Sequence, residues 1–261
     1  MTSDDPGIVV RTEGATGVME LARPSRQNAL RPADRAALRA GLRRFEADPA
    51  LRSVLIRAQG DAFCTGVDLD AFAALRQDPK ALAAFLAEGH ELLAALEASA
   101  LPVVAAVRGL CLAGGLELVM GCDIVIASRE ARFGDQHARF GLVPAWGGSQ
   151  RLPRLAGLRR ALDLMLTGRW IGAEEAASWG LVSRVVEPDA LDAVAAACCA
   201  DLATRSAAGL AAMKRLARVS LAMPLDEGLR QEAAEALPLL LGPDATEGLA
   251  AFRARRRPGF A

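Results

Sequence analysis

An α/β fold is the architecture this sequence predicts, and three features predict it. Apolar runs of strand length recur at 54–58, 102–107 and 123–128, with segments of helical pattern between them. The run at 102–107 passes through Arg108-Gly109 to Gly114-Gly115, after which apolar residues at 116, 118, 119 and 120 follow a helix-like spacing. From Leu158 onward the chain reads as mainly helical.

Taken in order, 8–11 and 17–21 read as the two strands of a hairpin, with Gly14 and Gly17 in the turn region. Segment 32–46 sets Leu38, Leu42 and Phe45 on one side of an amphipathic helix. Beyond the 54–58 strand and the Gln59-Gly60 turn, 70–75 and 80–97 read as helices split at Asp78-Pro79. They carry Ala71, Phe72, Leu75, Leu82, Phe85 and Leu86, a set that suits core packing or an apolar ligand pocket. His90, near Glu88 and Glu91, reads as a solvated histidine. Strands follow at 123–128, 131–133 and 183–186, and helices at 158–166, 173–179, 191–204, 207–219, 225–240 and 244–256. The last helices have large apolar faces for their size, which favours packing against a partner.

Composition narrows the function. A chain of 261 residues can bury one substantial core with a smaller appendage. With 52% hydrophobic and 24% charged residues it fits a soluble globular protein. A formal net charge of zero supplies no global field for nucleic acid or an anionic membrane. The cysteines at 64, 111, 122, 198 and 199 lack paired CxxC spacing and accompanying histidines, so buried reduced thiols and no metal site are expected. The polar, acidic first seven residues and the lack of any membrane-length apolar run make the cytoplasm the expected location.

The stretch 109–123 carries the chemistry. Strand, turn, two glycines and helix leave backbone N–H groups unpaired at a helix N-terminus, where they and the helix dipole stabilise developing negative charge. Glu117, one turn in, projects near the same place. Such a turn with a carboxylate beside it suits proton chemistry next to a carbonyl. A tight glycine turn against a sheet, with Glu117 as a dipole partner, is the alternative.

The loop FCTGVDL at 63–69 and the stretch GLCLAGGLELVMGCD at 109–123 together resemble the enoyl-CoA hydratase/isomerase (crotonase) superfamily. The resemblance extends in order through Arg23-Pro24 and Asn28-Ala29-Leu30, Phe133-Gly134, Gly141-Leu142-Val143-Pro144, 147–152, 166–168, 176–182 and Glu247-Gly248. It implies a crotonase-like right-handed spiral of β-β-α units. Residues 1–200 would form the core with the CoA thioester site, and 201–261 the helical region through which relatives trimerise, trimers often pairing into hexamers. An acyl-CoA substrate is implied, with coenzyme A as part of the thioester and no prosthetic group.

Residue roles follow from the same resemblance. Val67 and Gly114 supply the two N–H groups of an oxyanion hole, and Thr65, Asp68 and Leu69 are candidate CoA contacts on the same loop. Arg26 is a candidate contact to the CoA diphosphate, a solvated loop arginine being the alternative. Phe252 is placed near adenine and Arg255 near a CoA phosphate across a subunit interface; a basic helix end stabilised by the dipole is the competing account. Hydratase relatives hold a water between two glutamates. Glu117 is the first, but the second position, four residues after Phe133, is His137, the main departure from the pattern. Histidine can hold a water and shuttle a proton near neutral pH, and Asp135 is placed to orient it; a pocket residue without a proton role is the alternative. Ala145 stands where some relatives place an Asp, and Trp146 beside it shapes the acyl pocket or simply packs. Hydration of a 2-enoyl-CoA, as in fatty-acid metabolism, is the leading expectation. Single-base 3-enoyl to 2-enoyl isomerisation through Glu117 and a catalytically weak acyl-CoA-binding protein are the alternatives.

Overall fold

Short apolar runs rich in β-branched residues, Ile8-Val9-Val10 and Val18-Met19 with Leu21, give strands β1 (Gly7–Glu13) and β2 (Thr16–Ala22). They pair antiparallel with Ile8 opposite Leu21 and Val10 opposite Met19. Helix α1 (Pro32–Glu46) buries Leu38, Leu42 and Phe45 in the main core. The Phe45 ring lies flat on Gly17, where a Cβ would come within 2.5 Å of it. The computed structural model describes residues 5–260.

Three β-β-α units then follow one another. Strands β3 (Ser53–Ala58) and β4 (Ala62–Cys64) lead into α2 (Leu69–Leu75) and α3 (Pro79–Ala98). Strands β5 (Val103–Val107) and β6 (Leu110–Leu112) lead into α4 (Gly114–Met120). Strands β7 (Ile124–Ser128) and β8 (Arg132–Gly134) lead into α5 (Gly148–Ala156) and α6 (Leu158–Thr167). After β9 (Ile171–Gly172), α7 (Ala173–Ser178), β10 (Arg184–Val186) and α8 (Leu191–Ala203), the chain ends in α9 (Ala207–Val219), α10 (Leu225–Leu240) and α11 (Pro243–Arg253). The first strands of the units run parallel in a six-stranded sheet of order β1-β2-β3-β5-β7-β10, and the second strands run parallel in a four-stranded sheet of order β4-β6-β8-β9. Every unit therefore crosses from one sheet to the other, and the turns between β4 and α2 and between β6 and α4 come side by side.

Both faces of the large sheet are covered, which is why β5 reads as an unbroken apolar run and all five of its residues are buried. Val54, Ile56, Val103, Ala105 and Val107 enter the main core, whereas Val18, Leu55, Val104, Ala106 and Ile126 pack with Leu191, Ala195, Cys198 and Cys199 of α8. The tail differs: α9 fully buries only Ala212, α10 no residue and α11 only Ala251. Among the described residues, no helix is long and apolar enough to cross a membrane.

The structure departs from the sequence reading in three places. The two- and three-residue strands β4, β6 and β9 were not foreseen. The α-helical part resumes at Gly148 rather than Leu158: α5 forms although Pro153 sits inside it, where its missing N–H forfeits one helix bond. Finally, α11 stops at Arg253 instead of running to 256: Arg255 takes a left-handed φ of 52°, and Glu247 closes the reversal by accepting from the Arg256 guanidinium and the Gly259 N–H.

Candidate active site

The site is built where the two turns meet. Asn28 fixes the first approach, its side chain accepting from the Arg23 N–H and donating to the carbonyls of Gln59 and Ala62. The Leu30 N–H then donates to Gly66 O at 2.7 Å, and the Asp68 N–H to Leu30 O at 3.0 Å. Peptide groups alternate along an extended segment, so with its neighbours spent on Leu30, the Val67 N–H faces the other way. Gly66, at φ 103°, makes this possible: a Cβ there would lie 3.0 Å from both Gly114 N and Ala113 Cβ.

On the second turn, Ala113 adopts φ 48° and ψ −118°, a conformation costing a non-glycine residue about 1–3 kcal/mol. It is held by donating to Gly134 O and accepting from the Glu117 N–H. Gly114 follows as the first residue of α4. Among the described residues neither the Val67 nor the Gly114 N–H has an acceptor, and both residues line one cavity of about 270 Å³. Two free donors beside an apolar cavity can receive a carbonyl oxygen that gains negative charge.

Glu117 and His137 line the same cavity. Buried at 2% exposure, Glu117 is anchored by one oxygen: Oε1 accepts from the N–H groups of Trp146 at 2.8 Å and Gly148 at 2.7 Å. Its other oxygen, Oε2, lies 3.9 Å from His137 Nε2. On the far side of the ring, His137 Nδ1 is 2.9 Å from Asp135 Oδ1, which also accepts the His137 N–H. Asp135 thus turns the Nε2 edge toward Glu117, as the sequence suggested. Burial pushes the Glu117 carboxyl above the usual carboxylate range, against the opposing pull of His137 and the two N–H donors. Burial acts against the imidazolium of His137, but the hydrogen bond and charge of Asp135 and the charge of Glu117 outweigh it and hold His137 above the ordinary histidine range. One proton shared between a raised carboxyl and a raised imidazole suits acid–base work.

The remaining wall is apolar. Phe72, Leu82, Phe85 and Leu86, four of the six apolar residues singled out on α2 and α3, line the cavity together with Leu142 and Trp146, whose ring packs 5.5 Å from that of Phe85. Trp146 is wedged: a Cβ on Gly114 would lie 2.7 Å from its Cζ3, and one on Gly89 2.1 Å from its Cδ1. Behind it the buried Arg35 guanidinium sits 4.0 Å from the Phe85 ring centre and 5.0 Å from that of Trp146. Neither Arg35 nor the Trp146 and Gly148 donors stood out in the sequence; the only signal for the donors was the Gly147-Gly148 pair opening α5.

Val67, Gly114, Glu117 and His137 are thus brought together, and the other candidates are not. Asp68, read as a CoA contact, turns its carboxylate inward to the Arg23 guanidinium at 3.1 Å and to the Ala71 N–H, so it caps α2 and braces the loop. Thr65 bonds Gln27 O, Leu69 is exposed at the start of α2, and Arg26 forms an exposed pair with Asp70. Phe252, 83% exposed, and Arg255 stand on the tail and do not line the cavity of their own chain. His90 is exposed on α3, as expected.

A sequence profile of the enoyl-CoA hydratase/isomerase family matches residues 11–261. A probable enoyl-CoA hydratase of Rhizobium meliloti is 39% identical over 253 residues, covering 97% of each chain, and a crotonyl-CoA hydratase of Syntrophomonas wolfei is 33% identical with 97% of each covered. An enoyl-CoA hydratase of Polaromonas superposes at a TM-score of 0.94 with 30% identity, covering 97% of this chain and 99% of its own. The Geobacillus kaustophilus structure described as enoyl-CoA hydratase subunit I gives 0.92 with 35% identity and 99% of both chains. In sequence and in fold, the protein belongs to the enoyl-CoA hydratase/isomerase family of acyl-CoA enzymes.

Proposed function

We propose that this enzyme hydrates 2-enoyl-CoA thioesters, with Glu117 and His137 holding the attacking water. The observation that carries this reading is the 3.9 Å between Glu117 Oε2 and His137 Nε2, which leaves room for one oxygen at ~2.8 Å from each. The thioester oxygen sits between the Val67 and Gly114 N–H groups, and the acyl chain lies along Phe72, Phe85 and Trp146. As the water oxygen bonds to Cβ, the Glu117 carboxylate takes its proton. The electrons move onto the thioester oxygen, where two donors can together be worth several powers of ten in rate, each about 10²–10³-fold. The imidazolium of His137, steadied by Asp135, delivers a proton to Cα, and transfer from Glu117 to His137 restores the pair. The names borne by the Rhizobium and Syntrophomonas relatives agree with hydration.

The same reading extends to assembly. Two separate apolar faces lie exposed: Leu237, Leu240 and Leu241 on the tail, and Phe140, Val143, Leu158 and Leu166 beside the cavity. A face that meets a different face on the next copy closes a ring, as a trimer or a pair of trimers does. In such a ring Phe252 and Arg255 would meet the CoA of a neighbour.

Crotonyl-CoA in deuterated water tests the activity. Hydration predicts loss of conjugated absorbance with addition of one D₂O to the mass. Inertness toward 2-enoyl thioesters combined with conjugation of 3-enoyl thioesters would replace hydration by isomerisation, and tight CoA binding without turnover would replace both.

A further inference from the structure

The orientation of Glu117 depends on the turn that supplies its two N–H donors. Trp146 and Gly148 flank Gly147, which has a φ of 102°, and no strand supports this segment. Two adjacent glycines would let it sample many conformations. Arg151 is what spans it. Its Nη1 donates to Trp146 O at 3.0 Å and lies so flat on the turn that a Cβ on Gly147 would come within 2.0 Å of it. The rest of the guanidinium forms a fork with Glu97 at the end of α3, Nε to Oε1 and Nη2 to Oε2, both 2.7 Å. Glu97 in turn is 3.2 Å from Arg218 Nη1 of α9, and Arg218 Nη2 is 2.7 Å from Asp123 Oδ1. Arg151 and Glu97 are mostly covered, so this is not the solvated kind of ion pair whose worth is close to nothing. Neither residue lines the cavity, and the reaction itself asks nothing of them.

We propose that Arg151, gripped by Glu97, is a positioning residue that fixes the Trp146–Gly148 turn and thereby aims the Glu117 carboxylate. Fixing the Trp146 carbonyl fixes the peptide planes around Gly147, and with them the direction of both N–H groups. The proposal rests on the hydration reading only for the reaction that reports it.

The test compares Arg151→Gln, Arg151→Lys and Glu97→Gln with Arg154→Gln, an exposed control on the same helix, in the intact oligomer. Steady-state kinetics with the enoyl thioester that the wild type turns over best should show kcat down by roughly 10–100-fold in Arg151→Gln, with KM nearly unchanged, the scale expected when a catalytic group is slightly misplaced. Slackened N–H bonds no longer oppose burial, so the acid limb of the pH profile should move to higher pH. Glu97→Gln should shift both readouts less, and Arg151→Lys should restore only part, since an ammonium cannot reproduce the fork. Amide exchange at Trp146 and Gly148, which needs no substrate, should quicken in Arg151→Gln and not in Arg154→Gln. Kinetics, acid limb and exchange all matching Arg154→Gln would overturn the proposal, as would a loss of kcat with limb and exchange unmoved. Should Arg151→Gln not fold, Glu97→Gln and Arg151→Lys carry the same comparison. If the wild type hydrates nothing, the hydration reading fails, while the exchange rates still decide the role of Arg151.

Discussion

The spiral core and the helical tail solve the burial problem in opposite ways. In the core, β5 is covered on both faces, α4 buries all seven of its residues, and even the Glu117 carboxylate has its partners within the same chain. In the tail, α10 spans sixteen residues without burying one, and Leu225, Leu241 and Phe252 are each more than three-quarters exposed. A helix gains its stability chiefly from packing an apolar face. The core therefore buries its sheets and the Glu117 carboxyl within a single chain, leaving a face at Phe140, Val143, Leu158 and Leu166 exposed, whereas the tail helices leave nearly all of their packing face open. Chemistry and assembly should accordingly respond to different mutations, and that separation can be tested.

The largest effect should come from the core without touching its fold. Glu117→Gln keeps an oxygen to accept from Trp146 and Gly148 but cannot take a proton, so kcat should fall by about 10²–10⁴-fold while melting and assembly stay those of the wild type. Gly114→Ala should come next. Its Cβ would lie 2.7 Å from Trp146 Cζ3, so turnover should fall by roughly 10²-fold and stability by about 1–3 kcal/mol, read by steady-state rates and denaturant unfolding. A variant as active as wild type would mean that the thioester does not sit against Gly114.

The pH profile offers a finer probe of the same pair. In the proposed mechanism, turnover needs one proton shared between Glu117 and His137. Falling pH protonates Glu117 and removes the base; burial raises its pKa, so the acid limb should lie above the usual carboxylate range. Rising pH strips the proton from His137; Asp135 and Glu117 raise its pKa over the effect of burial, so the basic limb should lie above the ordinary histidine range. Asp135→Asn should move that basic limb down by removing the charge that holds the imidazolium, and a stationary limb would assign it to another group.

How far these features were legible follows from their length and reach. The hairpin, α1 and the buried strands announce themselves through periodicity or continuous apolar runs. Strands β4, β6 and β9, of two or three residues, are too short to show a repeated alternation and lie against turn residues, so only their pairing in the second sheet defines them. Glu117 and Gly114 stand out through the local chemistry of two glycines opening a helix, whereas Val67 and His137 are picked out only by their places in the family motifs, His137 as the residue four positions after Phe133. The inward turn of the Asp68 carboxylate was not legible, because its partner, Arg23, lies 45 positions earlier, a pairing no local pattern displays. The Trp146 and Gly148 donors are backbone groups and leave no signature in residue type beyond the Gly147-Gly148 pair.

The smallest effect on a single chain, and the sharpest test of the contrast, belongs to the tail. Leu240 and Leu241, at 70% and 77% exposure, end α10 on its open face. Replacing both with Asp removes no contact that the core makes, so the unfolding free energy of a dilute monomer should change by no more than about 0.5 kcal/mol per site. If the proposed ring forms through this face, two carboxylates placed where apolar surface is desolvated should nevertheless weaken assembly severely. Sedimentation would then report smaller particles, while circular dichroism and denaturant unfolding follow the wild-type monomer. If the monomer itself were lost, α10 would belong to the core after all and the division at about residue 200 would be wrong. If assembly survived, copies would meet through some other face, and the patch at Phe140, Val143 and Leu158 would be the next to receive a charge.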